Sequence, residues 1–397
     1  MCNMKKRFNM TCGDINYFYI AAVVIIIHTV IWIFSGNSPL AENPYNSYVL
    51  QAQAWRDGSF DLGRGYSHLE LAEYDYRFFV SFPQFPAMVY FIPVLLGLPV
   101  PEGIIALISA IAGACLCYKL GKLYNLSEKF SFILCLAMTV GSNMLFVSVN
   151  AWVWFIAQNM CFTLTVTSIV FAKLKKPFLS FLFLSFAIGC RPFQILYFPM
   201  LCMILCENSG LESLIKKPYV FLGAAIVGGF YMWLNFARFG NIFEFGHNYL
   251  PEFTEAQYGQ FNIRYLKENL YSLIKLPGIS QTGGLKMPRF NGMNIFIASP
   301  IFAYSIYMYI KNFRYNTKLK TAALLIILAE LISITLHKTM GGWQFGNRYT
   351  NDCLPLALFI ICASDIKKEG YPAGLSLLTL YGVLMNVAGT IVCYLDI

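Results

Sequence analysis

Charged side chains are what this sequence has least of. Asp, Glu, Lys and Arg make up 12% of its 397 residues, against about 25% in a typical soluble domain, and that shortage excludes an ordinary water-soluble fold. Histidine is scarcer still, at four residues. No H-E-x-x-H, G-x-S-x-G, Walker loop or Asp-x-Asp occurs, which removes the commonest zinc-peptidase, serine-hydrolase and nucleoside-triphosphatase readings. Cysteine is plentiful at twelve. Yet Cys115, Cys135, Cys161, Cys190, Cys202, Cys362 and Cys393 lie in or at the ends of apolar runs, where they act as small hydrophobes. Cys115-x-Cys117 lacks the second ligand pair of a zinc site, so neither a metal nor a disulfide framework is implied.

Long apolar runs fill the space that charge leaves. Residues 17–35 are long enough to cross a hydrocarbon layer about 30 Å thick. Further runs lie at 84–98, 103–119, 130–149, 152–172, 177–189, 193–206, 219–237, 293–310, 320–336, 353–364 and 372–394. The fold class that follows is all-α: one polytopic membrane domain over residues 1–397, with roughly eleven or twelve spans. The first span is too long for a signal-peptide core, and no small-residue cleavage site follows it.

The net charge of +9 marks topology, not nucleic-acid binding. Its lysines cluster in short gaps, at Lys5-Lys6-Arg7, Lys119 to Lys129, Lys173 to Lys176, Lys216-Lys217, Lys311 to Lys320 and Lys367-Lys368. The positive-inside rule puts those gaps in the cytoplasm. Two long loops, at about 37–83 and 237–291, then face outside, together with Asn150–Trp154, Arg191 and residues 337–350. One parity conflict remains: two apolar runs separate the first outer loop from Lys119. The run at 84–98, with Pro83, Pro86 and Pro93, is expected to dip in and return. Tyr48, Val49, Ala52 and Trp55 in the first loop, and Ile263, Leu266, Leu270, Leu273 and Ile274 in the second, have the spacing of interfacial helices.

Several outer polar residues are candidates for chemistry, because ionisable groups at membrane depth are costly. Arg191 follows an apolar run directly and suits either a phosphate or a snorkelling contact with head groups. Arg348 precedes a helix expected near residue 352, capped by Thr350 or Asn351, whose free N–H groups favour an anion. Asp352, four residues on, can aim that arginine, or the two can simply fasten a helix end. Among the acids, Glu42 sits just past the first span and Glu70 lies late in the same loop beside His68. Either can act as a general base, and either can be an ordinary exposed loop charge. His28, in mid-span, suits packing better than ligation.

Read in order, "YNSYVLQAQAWRDGSFDL", "HLELAEYDYRFFVSFPQFP", "GCRPFQILYFP", "NFARFGNIFEFGHNY" and "GWQFGNRYTNDCLP" resemble polytopic bacterial proteins of the GT-C glycosyltransferase superfamily, in its mannosyl- and aminoarabinosyl-transferase branch. The resemblance implies inverting transfer of a sugar from a polyprenyl-phosphate donor to a glycan, lipid or protein acceptor at the outer face of a bacterial cytoplasmic membrane. It requires no cofactor and leaves metal dependence open. A catalytic carboxylate in the first outer loop falls on Glu42 first, then on Asp57 or Glu70. Here "AENPYN" replaces the family's usual aspartate-containing pair, so the choice among them stays open. Arg191, Arg238, His247 and Arg348 are expected to hold the donor phosphate, with Tyr349 and Asp352 beside it. The competing readings are a transporter or flippase for a lipid-linked or anionic solute, and an inactive scaffold. Transporters usually place ionisable residues near the midplane and show internal repeats; here those residues crowd one face.

Overall fold

A computed structural model describes residues 12–207, 210–279, 285–366 and 372–395. The lysine groups at 5–7 and 367–368 lie outside them. Helix α1 (Cys12–Ser35) buries Ile20, Val24, His28, Ile31 and Trp32 and leaves Phe18, Ile26, Ile33 and Phe34 exposed. An apolar outer face combined with a packed inner one is what a helix between lipid and protein requires. His28 is satisfied within the packing, its ring nitrogens 2.8 Å from Val24 O and 2.9 Å from Ser148 Oγ.

The first loop folds into α2 (Ser47–Arg56) and a hairpin of β1 (Leu71–Tyr74) and β2 (Arg77–Val80), with Leu71 opposite Val80 and Tyr74 opposite Arg77. Tyr48 and Ala52 of α2 are buried, because α2 packs on α3 (Phe85–Leu95). Helix α3 settles the parity conflict. Its Phe85 N–H donates to Gly189 O (2.9 Å), and α4 (Glu102–Leu123) starts at the same end of the bundle. There Asn43 Nδ2 reaches both Glu102 Oε1 (3.1 Å) and Ala151 O (2.8 Å). At the far end of α4, Asn16 of α1 donates to Tyr118 Oη (2.9 Å). Helix α4 therefore runs antiparallel to α1, the stretch from α3 to α4 makes no net crossing, and the lysine pattern needs no exception.

The next traverse is broken: α5 (Glu128–Met138) and α6 (Met144–Ser148) flank an irregular stretch at 139–143. Helix α7 (Val153–Lys173) returns through the middle of the bundle, and α8 (Pro177–Ile188) packs along it. A 3-10 turn (Pro192–Tyr197) leads into α9 (Phe198–Leu205). After the short α10 (Glu212–Ile215) and a second 3-10 turn (Pro218–Phe221), α11 (Leu222–Phe239) climbs to the second long loop. That loop holds α12 (Pro251–Thr254), α13 (Leu266–Ile274) and a minimal hairpin of β3 (Gly278–Ile279) and β4 (Leu285–Lys286). Helices α14 (Ile295–Ala298) and α15 (Ile301–Lys311) descend and α16 (Thr317–Thr335) ascends. A 3-10 turn (Arg348–Cys353) enters α17 (Leu354–Cys362), and α18 (Ala373–Leu395) completes the bundle.

Among the described residues five helical segments are long and apolar enough to cross a membrane alone. Of the other traverses α16 is long enough but carries Lys318, Lys320 and Glu330, and the rest are broken or short, with proline in the first turn of α8, α9 and α17, where its missing N–H is harmless. Every residue of α17 is buried, as expected for a helix apolar on all sides. The protein is an all-α membrane protein. The described lysines of the predicted inner gaps gather at one end of the bundle; both long loops lie at the other.

Candidate functional site

At the loop end the broken traverses leave a cavity of about 650 Å³. Tyr45, Trp152, Trp154, Phe155 and Trp343 line an aromatic wall; Glu70, Arg191, His247, Glu252, His337 and Arg348 supply ionisable groups. The aromatic rings lock onto each other, with Trp152 stacked on Phe155 (5.4 Å between centroids) and Tyr45 tilted against Trp154 (4.9 Å).

Glu70 is the first-loop carboxylate that the fold delivers here. It precedes β1, and Ser81 Oγ, just beyond β2, donates to its carbonyl (3.3 Å). The side chain accepts from Trp154 Nε1–H (2.9 Å). Its surface is open to the cavity while protein encloses the cavity around it, so the carboxylate is both reachable by water and shielded from bulk solvent. That enclosure raises its pKa above the usual carboxylate value; Trp154 and Arg348 oppose the rise, and Glu252 adds to it.

Arg348 is 5% exposed. Its Nε donates to Gly341 O (2.9 Å), its backbone N–H to Gln344 Oε1 (2.6 Å), and its carbonyl accepts from Gln158 Nε2 (2.9 Å). Gly341 is needed for this: its φ is +104°, and a Cβ there would sit 2.8 Å from Arg348 Nε. No ion pair forms at Arg348 among the described residues. A buried guanidinium that lines a cavity with no carboxylate paired to it is costly unless its remaining donors find an acceptor.

Asp352 does not aim Arg348. It binds Arg191, whose Nε and Nη2 donate to Oδ2 at 2.9 and 2.8 Å. The reason is local geometry. Arg348–Cys353 is a 3-10 turn, in which residues three apart eclipse and residues four apart diverge. For the same reason Thr350 and Asn351 are not caps: Thr350 Oγ1 donates to Asn347 O (2.8 Å) and Asn351 Nδ2 to Asn143 O (3.3 Å). What joins the two arginines is Tyr349. Its ring centroid lies 5.0 Å from Arg191 Cζ and 4.8 Å from Arg348 Cζ, so two cations share one aromatic face-pair.

His247 lines the cavity as expected, between Phe245 (5.6 Å) and Phe253 (5.0 Å). His337, not singled out from sequence, faces the same space, with Nδ1 2.8 Å from Thr339 O. Burial lowers the pKa of each to about 4, and neighbouring positive charge adds to the effect, so both rings are neutral at pH 7.

Three expected site residues lie elsewhere. Glu42 is exposed and lines a separate shallow depression with Arg64 and His68; the turn through Gly36 (φ +69°) after α1 carries it away. Asp57 is exposed and paired with the adjacent Arg56 (3.0 Å). Arg238 is buried, and each of its guanidinium nitrogens donates to protein, to Leu234 O (3.3 Å), Val80 O (3.0 Å) and Asn235 Oδ1 (3.0 Å), so it staples β2 to α11. Sequence reasoning missed Trp154, Glu252 and His337. His337 had a signal, since it stands just ahead of the GGWQFGNRY segment. No cluster of three or more metal-ligating side chains occurs among the described residues. Neither a protein-family model nor a curated protein matches the chain.

Proposed function

We propose that this protein is a membrane glycosyltransferase that moves a sugar from a polyprenyl-phosphate donor to an acceptor hydroxyl, working at the membrane face opposite the lysine clusters, the outer face of a bacterial cytoplasmic membrane. The observation that carries the reading is one cavity lined by both an accessible carboxylate, Glu70, and a buried guanidinium with no carboxylate paired to it, Arg348. The aromatic wall suits the apolar face of a sugar ring.

In this scheme Glu70 accepts the proton of the acceptor hydroxyl as its oxygen bonds to the anomeric carbon. The bond from that carbon to the phosphate oxygen breaks, and its electron pair stays on the phosphate. Arg348, with Arg191 across Tyr349, stabilises that charge. A phosphate already leaves well, so no general acid is required, and attack from the far side inverts the anomeric carbon. A pKa raised toward working pH suits a base.

The transporter reading finds less support. The interior around the cavity is filled, with Phe146 set behind its Trp343 wall and Tyr197, Phe345 and Phe359 fully buried. Glu70→Gln in purified protein, assayed with a polyprenyl-phosphate sugar, is expected to lose transfer by about 10²–10⁴-fold while still binding the donor. Glu42→Gln is expected to stay near wild type. Full activity in Glu70→Gln would sink the assignment.

A further inference from the structure

Two tryptophans stand side by side in the cavity wall and are used differently. Trp152 packs by its ring, against Phe155 (5.4 Å), Tyr45 (4.8 Å) and Trp343 (5.3 Å). Trp154 packs too, against Tyr45 (4.9 Å) and Phe82 (6.5 Å), but its Nε1–H also donates to Glu70 Oε2 (2.9 Å). The ring is held because the start of its helix is held. Asn43 Nδ2 donates to Ala151 O (2.8 Å) and Val153 N–H to Tyr45 O (3.2 Å), so the chain enters α7 knitted to the first loop. Trp154 lies in the first turn of that helix, and Phe82 stands just past β2 of the hairpin that delivers Glu70.

An indole N–H is a donor only, and an ionised carboxylate is an acceptor only. Their bond is therefore strongest with charged Glu70 and holds its pKa down, against the enclosure that raises it. The charged and titratable groups that share the cavity are Arg191, Arg348, Glu252, His247 and His337; of these Arg348 assists Trp154 and Glu252 opposes it.

Resting on the transferase reading, we infer that Trp154 is the positioning residue of Glu70. Its N–H occupies Oε2 and leaves Oε1 to take the proton of the acceptor hydroxyl. The same bond keeps Glu70 ionised to lower pH, so transfer sets in earlier as pH rises. Trp154 thereby sets both the aim and the working range of the base. Trp152, with no bond to Glu70, sets neither.

Trp154→Phe keeps a ring in the wall and removes the N–H. The acid limb of its kcat/KM profile is expected to move up by about one pH unit, with donor KM within about twofold of wild type. Trp154→His restores a ring N–H and is expected to bring the limb back toward wild type. Trp152→Phe trims the same wall and is expected to leave the limb in place. Two readouts need no activity. Dicyclohexylcarbodiimide attacks protonated carboxyls, and the pH midpoint of its labelling of Glu70 is expected to rise in Trp154→Phe by the same amount. In the wild-type protein one of the six indole N–H resonances is expected to titrate with that midpoint, and to stop titrating in Glu70→Gln. A limb and a labelling midpoint that stay put in Trp154→Phe, or six indole resonances indifferent to Glu70, overturn the assignment. Wild-type protein whose indole tracks Glu70 but which transfers no sugar overturns the transferase reading instead, and leaves the bond between the two side chains standing.

Discussion

The two ends of the bundle use cations in opposite ways. At the lysine end ammonium groups close off helix C-termini: Lys175 Nζ donates to Ile204 O (2.5 Å) and Lys320 Nζ to Asn312 O (2.5 Å). Those carbonyls are the orphan acceptors that every helix end leaves, and a cation is their natural partner. At the loop end Arg348 is buried beside a cavity with one donor on a carbonyl and no carboxylate upon it. Burial of a cation is therefore not informative by itself; what matters is where its donors go. Arg238 makes the point within the loop end, since it is as buried as Arg348 and each of its guanidinium nitrogens donates to a protein acceptor.

That contrast can be broken from either side, and the largest effect is expected at Arg348. Arg348→Gln removes charge-assisted bonds worth about 1.5–3 kcal/mol. Polyprenyl-phosphate affinity, read by titration, is then expected to drop about ten- to hundredfold per folded molecule, beside the stability cost of the one bond its Nε makes to Gly341 O. Arg348→Lys is not expected to restore it, because a point charge does not reproduce a forked donor. Arg238→Met is expected to do the reverse. It strips a buried donor from Val80 O, which costs about 1–3 kcal/mol, so thermal stability falls while activity per folded molecule holds.

A smaller effect concerns pH. His247 and His337 have folded pKa values of about 4 against 6.5 in the free side chain. Between those values the unfolded chain binds more protons than the folded one, so their neutral burial is fully tolerated above about pH 6.5 and destabilises increasingly as pH falls toward 4. Glu70 works in the opposite sense, its raised pKa favouring the fold at lower pH. Melting temperature between pH 7 and 4 is expected to fall more steeply in wild type than in the double variant His247→Gln, His337→Gln. Parallel curves would remove the histidines from the account.

Much of the architecture was legible because membrane helices advertise themselves locally. The span of α1, the return of 84–98 and the lysine-marked end each follow from a run of neighbouring residues. The hairpin of β1 and β2 was not legible. Its strands are four residues long, and its turn is made by Asp75 (φ 51°) and Tyr76 (φ 56°), a left-handed pair without the Asn-Gly or Asp-Gly signal. That hairpin decides which acid enters the cavity, and no local pattern distinguishes Glu70 from Glu42, which is tied to a rigid helix end. Arg191 and Asp352 stand 161 positions apart, beyond any local spacing rule. The four-residue interval from Arg348 to Asp352 misled because it presumes an α-helix where a 3-10 turn forms.

The central claim is that Arg348 holds a lipid phosphate across the cavity from Glu70. A structure determined with a bound polyprenyl phosphate tests it most directly. The account expects phosphate oxygens within hydrogen-bond reach of the Arg348 guanidinium. A phosphate seated instead in the depression beside Glu42 and Arg64, or at the lysine end, would contradict it.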